Sequence, residues 1–206
     1  MGNSIRTETH AIIMGELYNN SSTGKAALAS VRSTASLASP RARLVWPLLL
    51  SHLDKTQLSY DGQPTRDEIA VYAAIRLYAI HQQGVTGLVY GPIIYNDSVN
   101  SDMAGHPLLQ VLGNLRSKKD GKEALDRHVE ALLGTTTITS TIINLTHLVS
   151  ILKTKSNKSQ KIDYAQLAQE LYWAQYDYQS ANRVRLRWGE QYYGAPMNTD
   201  NSEGKN

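Results

Sequence analysis

The 206-residue sequence contains no cysteine and no phenylalanine. Without cysteine, disulfide frameworks, thiolate zinc sites, iron–sulfur clusters and cysteine nucleophiles are excluded. Without phenylalanine, leucine, isoleucine, tyrosine and tryptophan must fill the core. The longest apolar run, residues 44–50, is too short to cross the roughly 30 Å of hydrocarbon in a bilayer, and charged residues near the start interrupt any signal peptide. We therefore expect a cytoplasmic protein.

Motifs that indicate catalysis are also absent. The histidines form no H-x-x-x-H or H-E-x-x-H pair, and there is no P-loop, G-x-G-x-x-G or G-x-S-x-G. The carboxylates are scattered singly along the chain, whereas a two-metal site needs them clustered. We expect a protein that is not an enzyme and holds no metal or cofactor, although residues distant in sequence can assemble a site that no motif reveals.

The spacing of apolar residues predicts an all-α fold of about six to eight helices, arranged as one bundle or as two small sub-bundles. We expect an N-terminal arm over residues 1–24, a helical domain over 25–194 with a mobile loop at 84–106, and a disordered tail over 195–206. Within the domain, the best-marked helices are predicted at 25–37, 65–83, 138–152 and 181–193, with another that begins at Asp163.

The predictions of two of these helices rest on particular local sequence patterns. Residues 135–143 are rich in β-branched side chains, which favours a strand, but the apolar spacing from Ile138 to Leu152 is helical and we give it more weight. Asp163 and Gln166 have the spacing of a capping box, which predicts a helix start.

Charge is the most informative feature, because a net charge of only +3 conceals its segregation. Residues 17–53 contain four lysines and arginines and no acid, and residues 131–162 contain four lysines and no acid. Arginines also alternate at Arg183, Arg185 and Arg187. Single cations at helix ends often only complement the helix dipole. Taken together, however, the blocks favour a polyanionic partner, although no ladder of aromatic residues accompanies them to stack bases.

An alternative function is that of a dimeric DNA-binding regulator. Residues 166–171 look like the first helix of a helix-turn-helix motif that would extend to residue 188. The expected short turn does not follow, since the helix is predicted to continue through Trp173 and Ala174. We interpret the aromatic residues of this region as core residues, namely Trp173, Trp188, Tyr192 and Tyr193.

The C-terminal half resembles the CasB family, the small subunit of the type I-E CRISPR surveillance complex, Cascade. The resemblance rests on five segments in order, over about residues 106–194: Val111-Leu112-Gly113-Asn114-Leu115, Arg127 with Leu132-Leu133, Leu145 to Lys153, Lys161 to Ala168, and Arg185 to Tyr193. It implies a small, all-helical, non-enzymatic protein, two copies of which contact the backbone subunits and the large subunit. It also implies contacts to guide RNA, target DNA and the displaced strand that stabilise the R-loop.

The resemblance assigns nucleic-acid contacts to the basic positions of the family's motifs, which here are Arg127, Lys153, Arg185 and Arg187. From charge and position alone we add Arg66, Arg116, Lys118, Lys119 and Lys155. Relatives often carry a further arginine where this chain has Thr146 and His147, so that contact is either lost or made by His147. Because alternating residues cannot share one helix face, we expect Arg185 or Arg187 to bind within the protein or to another subunit.

Overall fold

The computed structural model describes residues 4–18, 21–93, 103–116, 122–156 and 160–195. These residues are helical apart from two isolated backbone bridges, so the predicted all-α fold is confirmed. A π-helical segment lies at Ile12–Leu17 and a 3-10 turn at Pro40–Ala42. The α-helices of the described residues are α1 (Ser4–Ala11), α2 (Ser22–Arg32), α3 (Trp46–His52), α4 (Arg66–Gln82), α5 (Leu108–Arg116), α6 (Lys122–Leu133), α7 (Ile138–Lys155), α8 (Tyr164–Trp173) and α9 (Tyr178–Tyr193).

Side chains that bond to the backbone of the first turn determine where several helices begin. At α4, Thr65 and Glu68 form a complete capping box. At α8, the predicted box is only half formed: Asp163 accepts from the Gln166 N–H at 2.8 Å, but its own N–H donates to the His106 carbonyl. The remaining capping residues are Ser21 for α2, Thr137 for α7 and Asp177 for α9.

Two helices differ from their predicted bounds. The helix predicted at 25–37 runs from residue 22 to 32, because Ser21 caps it and the Ser33 hydroxyl bonds back to the Ser30 carbonyl at its end. The last helix begins at Tyr178 rather than at residue 181, because Asp177 supplies its cap. The predicted continuation of α8 beyond Trp173 was also wrong, since a turn without glycine at 174–177 separates α8 from α9.

The segment that forms α7, whose β-branched residues favoured a strand, is helical, as the apolar spacing predicted. Its hydroxyl side chains donate to carbonyls one turn earlier, for example Thr146 to Ile142 at 2.7 Å and Ser150 to Thr146 at 2.8 Å. These bonds satisfy polar groups that would otherwise compete with the helix. The burial of Leu145, Val149 and Leu152 then favours the helix over a strand.

The helix α4 lies at the centre of the fold and is buried on nearly every side, as expected for a helix without a polar face. It packs against α1, α2, α3, α7 and α8, while α5, α6 and α9 pack together and α7 contacts both groups. A single continuous apolar cluster links the two groups. Ile5, Ile12 and Leu17 bring the N-terminal segment into this cluster.

The described parts of the irregular segment 84–106 are tied to the residues that precede α8. The Ile162 N–H donates to the Val89 carbonyl at 3.0 Å, and the His106 N–H donates to the Lys161 carbonyl at 3.1 Å. The buried Asp163 carboxylate accepts from the Ile93 N–H at 2.9 Å and from Arg6 at 2.8 Å. Asp163 therefore joins this segment and α1 to the start of α8. Residues 94–102 and 196–206, which belong to the predicted mobile loop and disordered tail, lie outside the described residues.

Candidate nucleic-acid interface

Two cations, Lys153 and Arg32, lie close together where α7 and α2 end. Lys153 was predicted to contact nucleic acid, and Arg32 was not. Lys153 donates to the Gln83 side chain at 3.3 Å, and partial burial together with the positive charge of Arg32 lowers the pKa of Lys153. Within the described residues, neither cation has a carboxylate at salt-bridge distance. Lys155, the last residue of α7, is exposed. The helix C-termini favour positive charge here, but repulsion between Arg32 and Lys153 persists, and a bound anion would relieve it.

A second cationic position lies on the outer faces of α6 and α7. Arg127 is exposed on α6 and makes no hydrogen bond or ion pair with the described residues. Its neighbour His128 stacks on His147 from α7, with ring centroids 6.1 Å apart and an angle of 29° between the planes. The three side chains bring one positive charge and two imidazole rings to this surface.

Sequence reasoning missed Arg76, which reaches this region from α4. Its guanidinium donates to the Thr146 hydroxyl at 2.7 Å. Burial lowers the pKa of Arg76, and its Nε has no partner within the described chain. Thr146 is one of the two positions where relatives often carry an arginine. A positive charge is therefore supplied there from a helix distant in sequence, which no local motif indicates.

The structure gives Arg116 a partner inside the protein. Its Nε donates to the Asp126 carboxylate at 2.8 Å, and the guanidinium also lies 5.7 Å from the ring of Tyr192 and 5.2 Å from that of Tyr193. Burial alone would raise the pKa of Asp126, but hydrogen bonds from Arg116 and Tyr192 outweigh it and lower that pKa. Arg116 thus joins α5, α6 and α9, and its charge is largely compensated.

Arg66, the first residue of α4, is exposed and lies over the ring of Tyr176 at 5.4 Å. Tyr176 forms an aromatic cluster with Tyr172 and Trp173 at the turn between α8 and α9. Trp173 is 37% exposed, so its predicted place in the core was wrong.

Tyr193 is also exposed, and its predicted burial was wrong too. Trp188 and Tyr192 are buried, as predicted. The error for Trp173 arose because the sequence did not reveal the turn that brings Trp173 and Tyr176 together at the surface.

The arginines of α9 separate onto different faces, as expected from their alternation. Arg183 and Arg187, one turn apart, line a cleft between α8 and α9, whereas Arg185 donates to the Asn182 side chain at 2.6 Å. Burial raises the pKa of Glu170 beside this cleft, although a hydrogen bond from Trp188 and the charge of Arg187 act against the rise. Arg187 therefore has an electrostatic partner within the protein, Glu170. Arg183, which also lines the cleft, was not among the predicted nucleic-acid contacts.

Lys118 and Lys119 lie outside the described residues, so the structure assigns them no position. In the part of the chain that is described, no group of three or more histidine or carboxylate side chains could hold a metal ion. Within the same ranges, no helix is both long and apolar enough to cross a membrane.

The chain is similar to known proteins in sequence and in fold. The model of the family described as CRISPR-associated protein Cse2 (CRISPR_cse2) matches residues 27–193, most of the chain. The chain belongs to this family. The crystal structure of CasB from Thermobifida fusca matches with a TM-score of 0.64 at 22% sequence identity, covering 93% of this chain and 97% of that one. A comparison with curated proteins gives no match.

Membership of the Cse2 family confirms the resemblance to CasB, and it supports the role of a small structural subunit of Cascade. At 22% identity the likeness to the Thermobifida fusca protein shows the fold alone. The match includes α2 to α4, where the sequence motifs were weakest, and so extends the family assignment toward the N-terminus. The α8–α9 pair is therefore part of a Cse2 fold rather than a free-standing helix-turn-helix domain.

Proposed function

We propose that this chain is the non-enzymatic small subunit of a type I-E Cascade and that it contacts the phosphates of guide RNA, target DNA and the displaced strand. These contacts would stabilise the R-loop during antiviral defence. In RNA-guided recognition base pairing reads the sequence, so the protein needs only contacts to backbone and shape. Membership of the Cse2 family supports this proposal.

The observation that carries the proposal is the set of cations without carboxylate partners. Arg32 and Lys153 lie close enough for the charge of one to lower the pKa of the other, and Arg127 is exposed without a bond to the described residues. Such groups favour a polyanion, because each phosphate that they neutralise releases counterions from the nucleic acid. Their positions on α2, α6 and α7 belong to different elements, which fits contacts to an extended strand.

The assembly part of the proposal includes a second copy of this chain, the backbone subunits and the large subunit. Exposed apolar side chains on and before α3 support it: Leu44 and Leu50 are more than half exposed, and Trp46 lies between them. Trp46 and Leu50, one helical turn apart, line the same apolar pocket, and exposed apolar surface of this kind is typical of protein interfaces.

Salt dependence tests the phosphate contacts. Binding of the full-length chain to a fluorescent duplex should give log K that falls linearly with log salt, at about −0.9 per phosphate contact. Lys153→Ala and Arg127→Ala should each weaken binding equally on unrelated sequences and reduce the slope by about 1. Lys55→Ala, which removes an exposed lysine beside Asp54, is the matched control and should change neither quantity.

Two outcomes would contradict the proposal. Affinity that does not respond to salt would exclude phosphate contacts. A preference of about 10³-fold or more for one DNA sequence over scrambled competitor would indicate a regulator instead. Co-purification with a multi-subunit complex that contains guide RNA would test the assembly part separately.

A further inference from the structure

A cleft of about 250 Å³ lies between α8 and α9, and the proposed phosphate contacts of Arg32, Lys153 and Arg127 do not involve it. Gln169 and Glu170 form its inner side, and Arg183 and Arg187 lie at its edge. Trp173, which belongs to the aromatic cluster at the α8–α9 turn, also lines the cleft. The cleft therefore combines a planar aromatic surface, two cations and buried polar groups.

Gln169 is the most informative residue of the cleft. The residue is 8% exposed, yet within the described parts of the chain neither its amide nitrogen nor its amide oxygen has a hydrogen-bond partner. Buried polar groups are nearly always paired, so an amide that is unpaired at both ends needs an explanation. A ligand that offers an adjacent donor and acceptor would satisfy both ends at once. The edge of a nucleobase has this arrangement, and glutamine pairs with adenine in this way.

The surroundings of Gln169 fit the other parts of a nucleotide. Trp173 is partly exposed and can cover the face of a base, an interaction that tolerates any base because every base has a π-face. Arg183 and Arg187 lie one turn apart on α9, a separation that places both guanidinium groups on one side of the helix. Arg183 is held by a hydrogen bond to Ser180 at 2.9 Å. Phosphates on either side of the base would face these arginines.

We propose that the cleft between α8 and α9 holds one unpaired nucleobase of a single strand, with Gln169 bonded to the base edge, Trp173 against its face and Arg183 and Arg187 toward its phosphates. The inference rests on the proposed function, since it adds a base contact to a protein that otherwise contacts phosphate. An extended peptide could also pair with the Gln169 amide. A base is favoured because a peptide group has no large flat face for Trp173.

The test compares two single-stranded oligonucleotides of equal length, one of deoxyadenosine and one with abasic positions throughout, in binding to the full-length chain. The phosphate charge is the same in both, so any difference reports base contacts. Stacking on one aromatic residue should make the adenine strand bind about tenfold more tightly. Gln169→Leu and Trp173→Leu should remove this preference and leave the abasic affinity unchanged. Trp173→Phe, which keeps an aromatic face, should retain much of it.

Arg127→Ala is the control for phosphate contacts, because it should weaken both strands equally and keep their ratio. Equal binding of the two strands by the unmodified chain would overturn the base site while leaving the proposed function intact. Absence of binding to either strand would overturn both. If Gln169→Leu keeps the adenine preference but prevents assembly with other Cascade subunits, the cleft takes a protein segment and the inference is wrong.

Discussion

Arg116 and Arg127 allow a direct test of which basic residues stabilise the fold and which bind nucleic acid. Both were predicted to contact nucleic acid. Arg116 forms an ion pair with Asp126 in which the two side chains are 16% and 20% exposed, whereas Arg127, the residue after Asp126, is exposed. We therefore predict that Arg116→Ala mainly lowers stability and that Arg127→Ala mainly lowers affinity.

The magnitude follows from the contacts that Arg116 makes. A hydrogen bond between charged groups contributes about 1.5–3 kcal/mol, and each cation–π contact at a partly exposed site about 0.5–1 kcal/mol. Arg116 has one such hydrogen bond and lies near two tyrosine rings. We expect Arg116→Ala to lower the free energy of unfolding by about 2.5–5 kcal/mol. Arg127→Ala should change it by less than about 0.5 kcal/mol.

Urea unfolding followed by circular dichroism measures the first quantity, and oligonucleotide anisotropy at low salt measures the second. A double-mutant cycle with Asp126→Ala isolates the pair, for which we expect a coupling energy of about 1–3 kcal/mol. The reasoning would be refuted if Arg116→Ala left the unfolding midpoint unchanged and lowered affinity as much as Arg127→Ala. In that case Arg116 would act at the surface, and the ion pair would contribute nothing to folding.

Three further predictions concern the core and the segment before α8. Asp163→Ala removes a helix cap and leaves Arg6 unpaired, so it should lower the free energy of unfolding by about 3 kcal/mol. Gly91→Ala should destabilise by about 2 kcal/mol, because its Cβ would overlap the Met103 carbonyl and lie 2.8 Å from the Gly105 nitrogen. Burial, with the charge of Lys153, lowers the pKa of His81 to about 4. Unfolded histidine titrates near about 6.5, so stability should fall between these values as pH decreases, and His81→Gln should reduce that fall.

The first two of these predictions have a matched control variant, and the third has an outcome that would contradict it. Thr137→Ala removes a helix cap and an exposed bond to the Ser140 hydroxyl but no ion pair, and should cost about 1 kcal/mol, so an equal effect of Asp163→Ala would mean that the Arg6 contact contributes nothing. Gly87→Ala adds a methyl group with no atom within 4 Å, and it should be tolerated. The His81 prediction fails if the variant loses as much stability as the unmodified chain between about pH 6.5 and 4.

Helix positions could be predicted from sequence wherever apolar spacing extended over several turns. The centre of α4 and most of α7 are examples, and in α7 the buried face outweighed the preference of β-branched residues for strands. The boundaries of α2 and α9 could not be predicted as well, because they depend on Ser21 and Asp177. Both are ordinary polar residues until the structure reveals that their side chains bond to the first turn.

The candidate site was less predictable than the fold, because a cation's role depends on what lies opposite it. Sequence alone could not distinguish Arg116, which faces Asp126, from Arg127, which does not. Nor could it reveal that Arg76 reaches Thr146 from a helix seventy positions earlier. The unpaired state of Gln169 has no local signal at all, since it results from packing between α8 and α9.

The unpaired cations and the unpaired amide have the same physical consequence. Repulsion between Arg32 and Lys153 opposes folding of the isolated chain, and an unsatisfied buried amide costs about 1–3 kcal/mol. Packing alone would be better served by a carboxylate beside Lys153 and by leucine at position 169. Local costs of this kind are typical of functional surfaces, where a partner supplies the missing interaction. A nucleic acid strand can supply both, because its phosphates neutralise the cations and its bases pair with the amide.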